Sequence, residues 1–467
     1  MHRVSQLLLL ASLPLSLADE TVYGAYIFHR HGDRTPKSLP PTRLTSLGYT
    51  QVYTAGQYFR ERYVSSNATL KVAGLEPDVV NQAQIAVSAP LDTVLENSAY
   101  AFLQGLYPPS ESKETLRNGT VVQAPMGGYQ LIPVTEVSAG AGSEDNPWLQ
   151  DASGCLGATT SSNSYFFSAE YAGKLKQTKE FYSSLVPVVN DTFAKDYVTF
   201  KNGYTVFDLI NVATIHNTSI PSANLLTPQT LYQLRTLADA HEWGLAYNAS
   251  DNMRAMPGML LAAEILSAFN STVISKGKSK LNIQFGAYAT FLSFFGLADL
   301  PAASVDFTGL PDYASAMLFE LFAPNGSSPS PQAEDLRVRF LFKNGTAGEG
   351  APPVAFPLFG GSEMDVSYPV FVEKLSKFAV TTTEDWCSKC RNTAGVCAGA
   401  SVAGTKSAKQ DKKGGISAAI GGVIGAMVTL AVVLGLLALV MLVGGLTVVK
   451  KHKAPKGVQA GSGELKA

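Results

Sequence analysis

Residues 28–36, FHRHGDRTP, put an imidazole between two guanidiniums at the end of an apolar run, Val22, Tyr23, Ala25, Tyr26, Ile27 and Phe28. Arg30 and Arg34 can grip a phosphate's oxygens through paired N–H donors, which a planar guanidinium does better than an ammonium. His31, lying between them, can attack phosphorus and carry it as a covalent intermediate. Gly32 would let the backbone come close to a ligand, and Pro36 would stiffen the exit. The apolar run reads as a buried strand, and open α/β sheets place their ligands at the carboxyl ends of such strands. A basic turn on a sheet edge with solvated arginines is the plainer reading of the same string.

The string Arg-His-Gly-x-Arg-x-Pro resembles the signature of the histidine acid phosphatase family, within the phosphoglycerate mutase-like superfamily. The resemblance continues in LTSLGYTQVYTAGQYFRERYV, residues 44–64, with Gly48, Gln51, Arg60, Arg62 and Tyr63 in place. Val52, Ala55, Tyr58 and Phe59 give that stretch a helical period. Residues 84–108 resemble the family's second strand and helix, and 256–297 its return to the sheet. What the resemblance implies is an α/β fold: a doubly wound, mostly parallel sheet with flanking helices and a smaller α-helical insertion. It also implies hydrolysis of phosphate monoesters through a phosphohistidine at His31. Arg30 and Arg34 would bind the substrate phosphate, and neither a metal nor a cofactor would be needed.

The sequence departs from the family where the family keeps a His-Asp pair, whose Asp protonates the leaving oxygen. The matching slot, after Leu281–Gly286, holds Ala287 and Tyr288, and no His-Asp dipeptide occurs in the chain. Thr93 stands nearest the slot of a further phosphate-binding Arg. A positioned general acid is worth roughly 100- to 10,000-fold in rate. Without one, activated aryl phosphates should be favoured over alkyl phosphates by about 100-fold. Asp33, Asp92, Glu96 and Tyr288 are the candidate replacement acids, each also readable as a solvated surface residue. His241-Glu242 looks like a relocated pair, but it falls on a helical stretch well before the sheet returns and reads as surface. The alternative function is a catalytically impaired surface protein that binds anions or partners.

The ends of the chain speak to compartment. Residues 1–18 have a basic start, an apolar run and a small-residue site, the pattern of a secretory signal peptide. Residues 416–449 carry no charge and are long enough to cross a bilayer. Lysines flank both ends of this segment, so the signal peptide decides the orientation: body outside, residues 450–467 inside. The expected location is the cell membrane or a secretory-pathway membrane, single-pass type I. Sequons at Asn67, Asn118, Asn190, Asn217, Asn248, Asn270, Asn325 and Asn344 all lie in the body and fit a glycosylated domain. Cys155, Cys387, Cys390 and Cys397 read as two disulfides in an oxidising compartment. Each of the three possible pairings ties Cys155 to one cysteine of the Cys387–Cys397 cluster and pairs the other two locally, and the sequence leaves open which. A zinc site at Cys387-x-x-Cys390 lacks a second close pair.

Residues 19–395 make one large body. A sheet domain would take 19–155 and 256–395, with the α-helical insertion at about 156–255, where Leu231, Leu234, Leu237 and Ala238 mark one helix face. Leu-Arg-Val-Arg-Phe-Leu-Phe, 336–342, alternates like an edge strand with charged outward positions. Residues 396–415 would be a stalk. The net charge of −1 and the absence of a basic stripe argue against nucleic acid as a partner.

Overall fold

The computed structural model describes residues 20–137, 154–217, 219–275, 278–324 and 331–398. The signal peptide, the stalk beyond residue 398, the 416–449 segment, the tail and Asn325 lie outside the described residues.

The chain opens with β1 (Thr21–Arg30), followed by α1 (Ser46–Phe59), which runs on through one π turn, Arg60–Val64. Next come β2 (Ile85–Pro90), α2 (Thr93–Leu106), a hairpin of β3 (Lys113–Thr115) and β4 (Val121–Gln123), the short α3 (Pro125–Gly128) and β5 (Thr135–Val137). A helical stretch follows: α4 (Leu156–Asn163), α5 (Ala169–Gln177), α6 (Lys179–Val189), α7 (Gly203–His216) and α8 (Pro228–Ala246). The chain returns to the sheet through α9 (Met256–Ile274), β6 (Leu281–Gly286) and α10 (Tyr288–Leu297). It closes with β7 (Ala316–Ala323), β8 (Arg337–Lys343), β9 (Val354–Ala355), β10 (Asp365–Ser367), α11 (Tyr368–Ser376) and α12 (Thr383–Cys390).

The sheet order is β10-β8-β7-β1-β6-β2-β5, with β9 on β8. β1, β6, β2 and β5 pair in parallel, whereas β7, β8, β9 and β10 are joined antiparallel. The sheet is therefore mixed, which corrects the expectation of a mostly parallel one. The reason is local: the stretch after Ala323 reads Pro-Asn-Gly-Ser-Ser-Pro-Ser-Pro, turn chemistry with no apolar helical period, and β8 pairs antiparallel beside β7. β8 is not an edge strand either. It lies between β7 and β10, and its arginines are paired: Arg337 with Asp365, and Arg339 with Glu20 and Glu320.

β1 is buried almost throughout because both its edges and both its faces are covered. Val22, Ala25 and Ile27 join the core under α1 and α2, while Tyr23, Tyr26 and Phe28 join the core under α9, α10 and α11. A register shift between Val22 and Gly24 keeps this alternation in step. α1 and α2 pack closely at glycines: a Cβ on Gly56 would come within 2.0 Å of the Phe102 carbonyl oxygen. The helical stretch has a core of its own, built on Tyr182, Leu185, Phe200, Ile210 and Leu234. Among the described residues, Asn252–Ile274 is the helix long and apolar enough to cross a membrane, and it packs on the sheet with Leu261, Ala262, Ile265 and Phe269 buried. The two expected disulfides are present, and the pairing left open is Cys155 with Cys390 and Cys387 with Cys397.

Candidate functional site

Three segments meet where β1 ends. Arg30 is in register with Gly286, the last residue of β6, so Ala287 and Tyr288 follow on beside the motif. On the other side, the Arg30 amide donates to the Ser315 carbonyl and the Ala314 amide to the His31 carbonyl, each at 2.8 Å. These two bonds seat Tyr313 against the motif. Its ring centroid lies 5.5 Å from that of His31, 4.7 Å from the Arg30 guanidinium carbon and 5.7 Å from that of Arg34. Burial pushes the Tyr313 phenol well above its ordinary value, although Arg34 pulls the other way, so the ring is neutral.

His31 is fully buried. Its Nδ1 lies 2.7 Å from the Gly32 carbonyl oxygen, which can only accept, so the proton is on Nδ1 and the lone pair on Nε2. Arg34 is fully buried too. It donates to Asp208 Oδ1 at 2.9 Å, to the Thr35 carbonyl at 3.1 Å and to the Tyr204 hydroxyl at 3.1 Å. Arg30 donates to the Pro311 carbonyl and faces the rings of Tyr313 and Tyr288. Beneath them His29 packs among Phe59, Phe102 and Phe285, with Nδ1 donating to the Arg30 carbonyl at 2.6 Å. Burial lowers its pKa to about 4.

Gly32 does serve a close approach, but to protein. A Cβ there would sit 2.2 Å from the Gly48 carbonyl oxygen, and one on Gly48 would sit 2.0 Å from the Asp33 carbonyl oxygen. The motif loop thus lies directly on the first turn of α1. Thr45 caps that turn, accepting from the Gly48 amide at 3.0 Å.

The candidate acids fall into different surroundings. Asp33 is buried rather than solvated; its Oδ2 accepts from the Thr45 hydroxyl and from His216 Nε2, so it ties α1 to α7. Asp92 caps α2, its Oδ1 accepting from the Val94 and Leu95 amides at 2.9 and 3.1 Å. Glu96 stands one turn on; partial burial, then the carboxylates of Glu136 and Asp92, raise its pKa. Thr93 is exposed between them. His241 and Glu242 are not surface: they are 5 % and 9 % exposed. They line a cavity of about 890 Å³ together with Lys37, Tyr204 and Tyr288. The signal for this was in the sequence. Leu234, Leu237 and Ala238 step on to His241 and Glu242 by the spacing that defines one helix face. Asp208, Tyr204 and His216 on α7, and Tyr313, carried no motif to mark them.

A mixed α/β sheet whose first strand ends in Arg30, with buried His31 and Arg34 following, gathers the donors that can hold an anion at its carboxyl end. The profile of the histidine phosphatase superfamily (branch 2) matches residues 38–343, starting just past the motif, and the chain belongs to that family. The chain is 27 % identical over 410 residues to a prostatic acid phosphatase of Bos taurus, covering 83 % of this chain and 93 % of that one. It is 25 % identical over 392 residues to a prostatic acid phosphatase of Homo sapiens, covering 81 % and 89 %. Among solved structures the fold is similar to that of a Hafnia alvei phytase in complex with tartrate (TM-score 0.54, 14 % identity, 78 % of this chain and 98 % of that one). A Citrobacter braakii phytase superposes comparably (TM-score 0.52, 15 % identity, 79 % and 99 %). By family the chain is a phosphatase of the histidine acid phosphatase type.

Proposed function

We propose that this chain hydrolyses phosphate monoesters through a phosphohistidine on Nε2 of His31. The observation that carries the reading is the His31–Gly32 hydrogen bond, which fixes the proton on Nδ1 and the lone pair on Nε2, with the His31 ring and the guanidiniums of Arg30 and Arg34 all gathered against Tyr313. In the first step the Nε2–P bond forms as the ester P–O bond breaks, and the departing oxygen takes a proton. In the second, water attacks phosphorus, the N–P bond breaks and inorganic phosphate leaves. Arg30 and Arg34 neutralise the equatorial oxygens in both steps, where such charge stabilisation counts most. The test is turnover of p-nitrophenyl phosphate by the protein and by His31→Ala, together with trapping of an acid-labile, alkali-stable phosphoenzyme. Turnover by the alanine variant at the parent rate refutes the reading. The second reading, an anion-binding protein with little turnover, draws on the pairing of Arg34 with Asp208 and on the full burial of His31. It gains if phosphate binds but no substrate turns over.

The same proposal places the body outside the membrane, held by residues 416–449. Support comes from the leader-like start and from the exposure of Asn67, Asn118, Asn190, Asn217, Asn248, Asn270 and Asn344. Protease treatment of intact cells should release a glycosidase-sensitive fragment of nearly full length. A C-terminal epitope reachable from outside refutes this topology.

A further inference from the structure

We propose that Tyr313 is a positioning residue for Arg30: its ring, with the Pro311 carbonyl beside it, sets the guanidinium that grips the phosphate. The inference rests on the phosphomonoesterase reading above and names how one arm of the clamp is aimed.

The two arginines are held by different means. Arg34 is fixed by hydrogen bonds to Asp208, Tyr204 and the Thr35 carbonyl. Arg30 instead donates to the Pro311 carbonyl, and its guanidinium carbon lies 4.7 Å from the Tyr313 centroid, against 5.6 Å from that of Tyr288. Arg30 is 5 % exposed, and its Nε is buried with no hydrogen-bond partner among the described residues. A buried donor without an acceptor is costly, and a phosphate oxygen would supply one. A ring face can orient a guanidinium without neutralising it and without taking up its N–H edge, as a carboxylate would. Arg30 and Tyr313 also share the wall of a cavity of about 300 Å³, so space for a small anion adjoins the guanidinium.

The loop that carries the ring is tied down on every side that the structure describes. Towards the motif it is held by the Arg30–Ser315 and Ala314–His31 backbone bonds. Towards the helices, Arg235 of α8 donates to Asp312 Oδ1 at 3.0 Å and to the Leu310 carbonyl. Asp239 accepts from Arg235 Nε at 3.0 Å and from the Leu310 amide at 2.9 Å. Towards the end of β8, the Asp312 amide donates to Asn344 Oδ1 at 2.8 Å. Ala314 lies in the left-handed region, φ 59°, which a β-carbon disfavours, so these bonds rather than local preference hold the turn. A ring on such a loop is a fixed surface, and Arg30 keeps one orientation against it. Without the face, the phosphate itself would have to order a long side chain, which costs affinity.

The experiment is a titration of the full-length protein with inorganic phosphate, followed by phosphorus NMR at fixed pH and ionic strength. It uses the parent, Tyr313→Phe, Tyr313→Leu, Arg30→Gln and the double variant Arg30→Gln/Tyr313→Leu. Tyr313→Leu should raise the phosphate Kd about 10-fold, the size of a desolvated cation–π contact. Tyr313→Phe keeps the ring, which makes the contacts named above, and should bind within about twofold of the parent. In the Arg30→Gln background, Tyr313→Leu should change Kd by less than about twofold, because the arm it aims is gone. A loss of folded protein lowers the number of sites and leaves Kd alone, so packing by itself does not give this pattern. Equal weakening in both backgrounds would overturn the proposal, as would a phenylalanine variant as weak as the leucine one. An unchanged Kd in Tyr313→Leu or in Arg30→Gln would also overturn it. So would tighter binding by Tyr313→Leu, since the ring would then stand in the anion's place. Should Tyr313→Leu fail to fold, Tyr313→Met, which fills space without an aromatic face, decides the same question. Failure of the underlying reading looks different: His31→Ala would then turn over p-nitrophenyl phosphate at the parent rate, whatever the Tyr313 variants do to phosphate binding.

Discussion

His29 makes the sharpest pH prediction. It sits at the base of the site, fully buried among Phe59, Phe102 and Phe285. Burial lowers its pKa from 6.5 to about 4; the Arg30 carbonyl opposes the drop and His31 adds to it. In the unfolded chain the ring takes a proton near pH 6.5, while in the folded chain it stays neutral until about pH 4. Between those values the unfolded state binds more protons, so stability falls as pH falls and levels off below about 4. At about 1.4 kcal/mol per pH unit, the gap between 6.5 and about 4 comes to roughly 3 kcal/mol. His29→Leu removes the titration. It also removes the Nδ1 hydrogen bond, a loss that is the same at every pH in that window. The assay is denaturant unfolding of both proteins at half-unit steps from pH 7 to pH 4. The parent should lose about 3 kcal/mol relative to the variant over that range. Parallel pH profiles would refute the argument.

Three further outcomes can be checked. Gly48→Ala drives a methyl to 2.0 Å from the Asp33 carbonyl oxygen, so the motif loop must move; turnover should be lost even where the protein remains folded by circular dichroism. Glu320→Ala leaves Arg62 and Arg339 without the buried carboxylate that both contact at 2.6 Å, and denaturant unfolding should show a loss of about 3–5 kcal/mol. Arg34→Gln strands the buried Asp208 and should lower stability by a similar few kcal/mol, whereas Arg30→Gln, which breaks no ion pair among the described residues, should mainly raise the inhibition constant of inorganic phosphate.

What could be read from the chain was what is local. The apolar run of β1 and the helical period of α1 each depend on neighbours in sequence and were legible, and the β2–α2 and β6–α10 steps came with the family resemblance. The mixed sheet was not, because the partners of Arg337 and Arg339 are chosen by strand pairing and lie at Asp365, Glu20 and Glu320. Asp208 and Tyr204 went unseen for the same reason: they meet Arg34 across 174 and 170 residues, on a helix with no pattern of its own. His241 and Glu242 are a different case. Read as a dipeptide they look like surface charge, but read as the next step of the Leu234-Leu237-Ala238 stripe they belong inside. The helical period held the information that the residue types disguised.

The charge around the motif is divided unevenly, and the division explains why two arginines are present. Arg34 is paired with Asp208, whose other oxygen accepts from the Lys37 amide at 2.7 Å. A buried guanidinium and a carboxylate largely cancel each other, so Arg34 presents geometry more than net charge to an arriving anion. Arg30 is held by a carbonyl and two aromatic faces, so its positive charge is not neutralised by a carboxylate among the described residues. On the proposed reading, a phosphate entering beside His31 would find its net attraction at Arg30 and its fixed donors at Arg34. Because Asp208 and Tyr204 both come from α7, the orientation of Arg34 is set by the helical stretch rather than by the sheet. Glu242, from α8, likewise reaches Tyr288 across the cavity. The sheet thus carries the proposed nucleophile, His31, just past the end of β1, while the helices that pack over its edge hold Arg34, one of the two proposed clamp residues, in place.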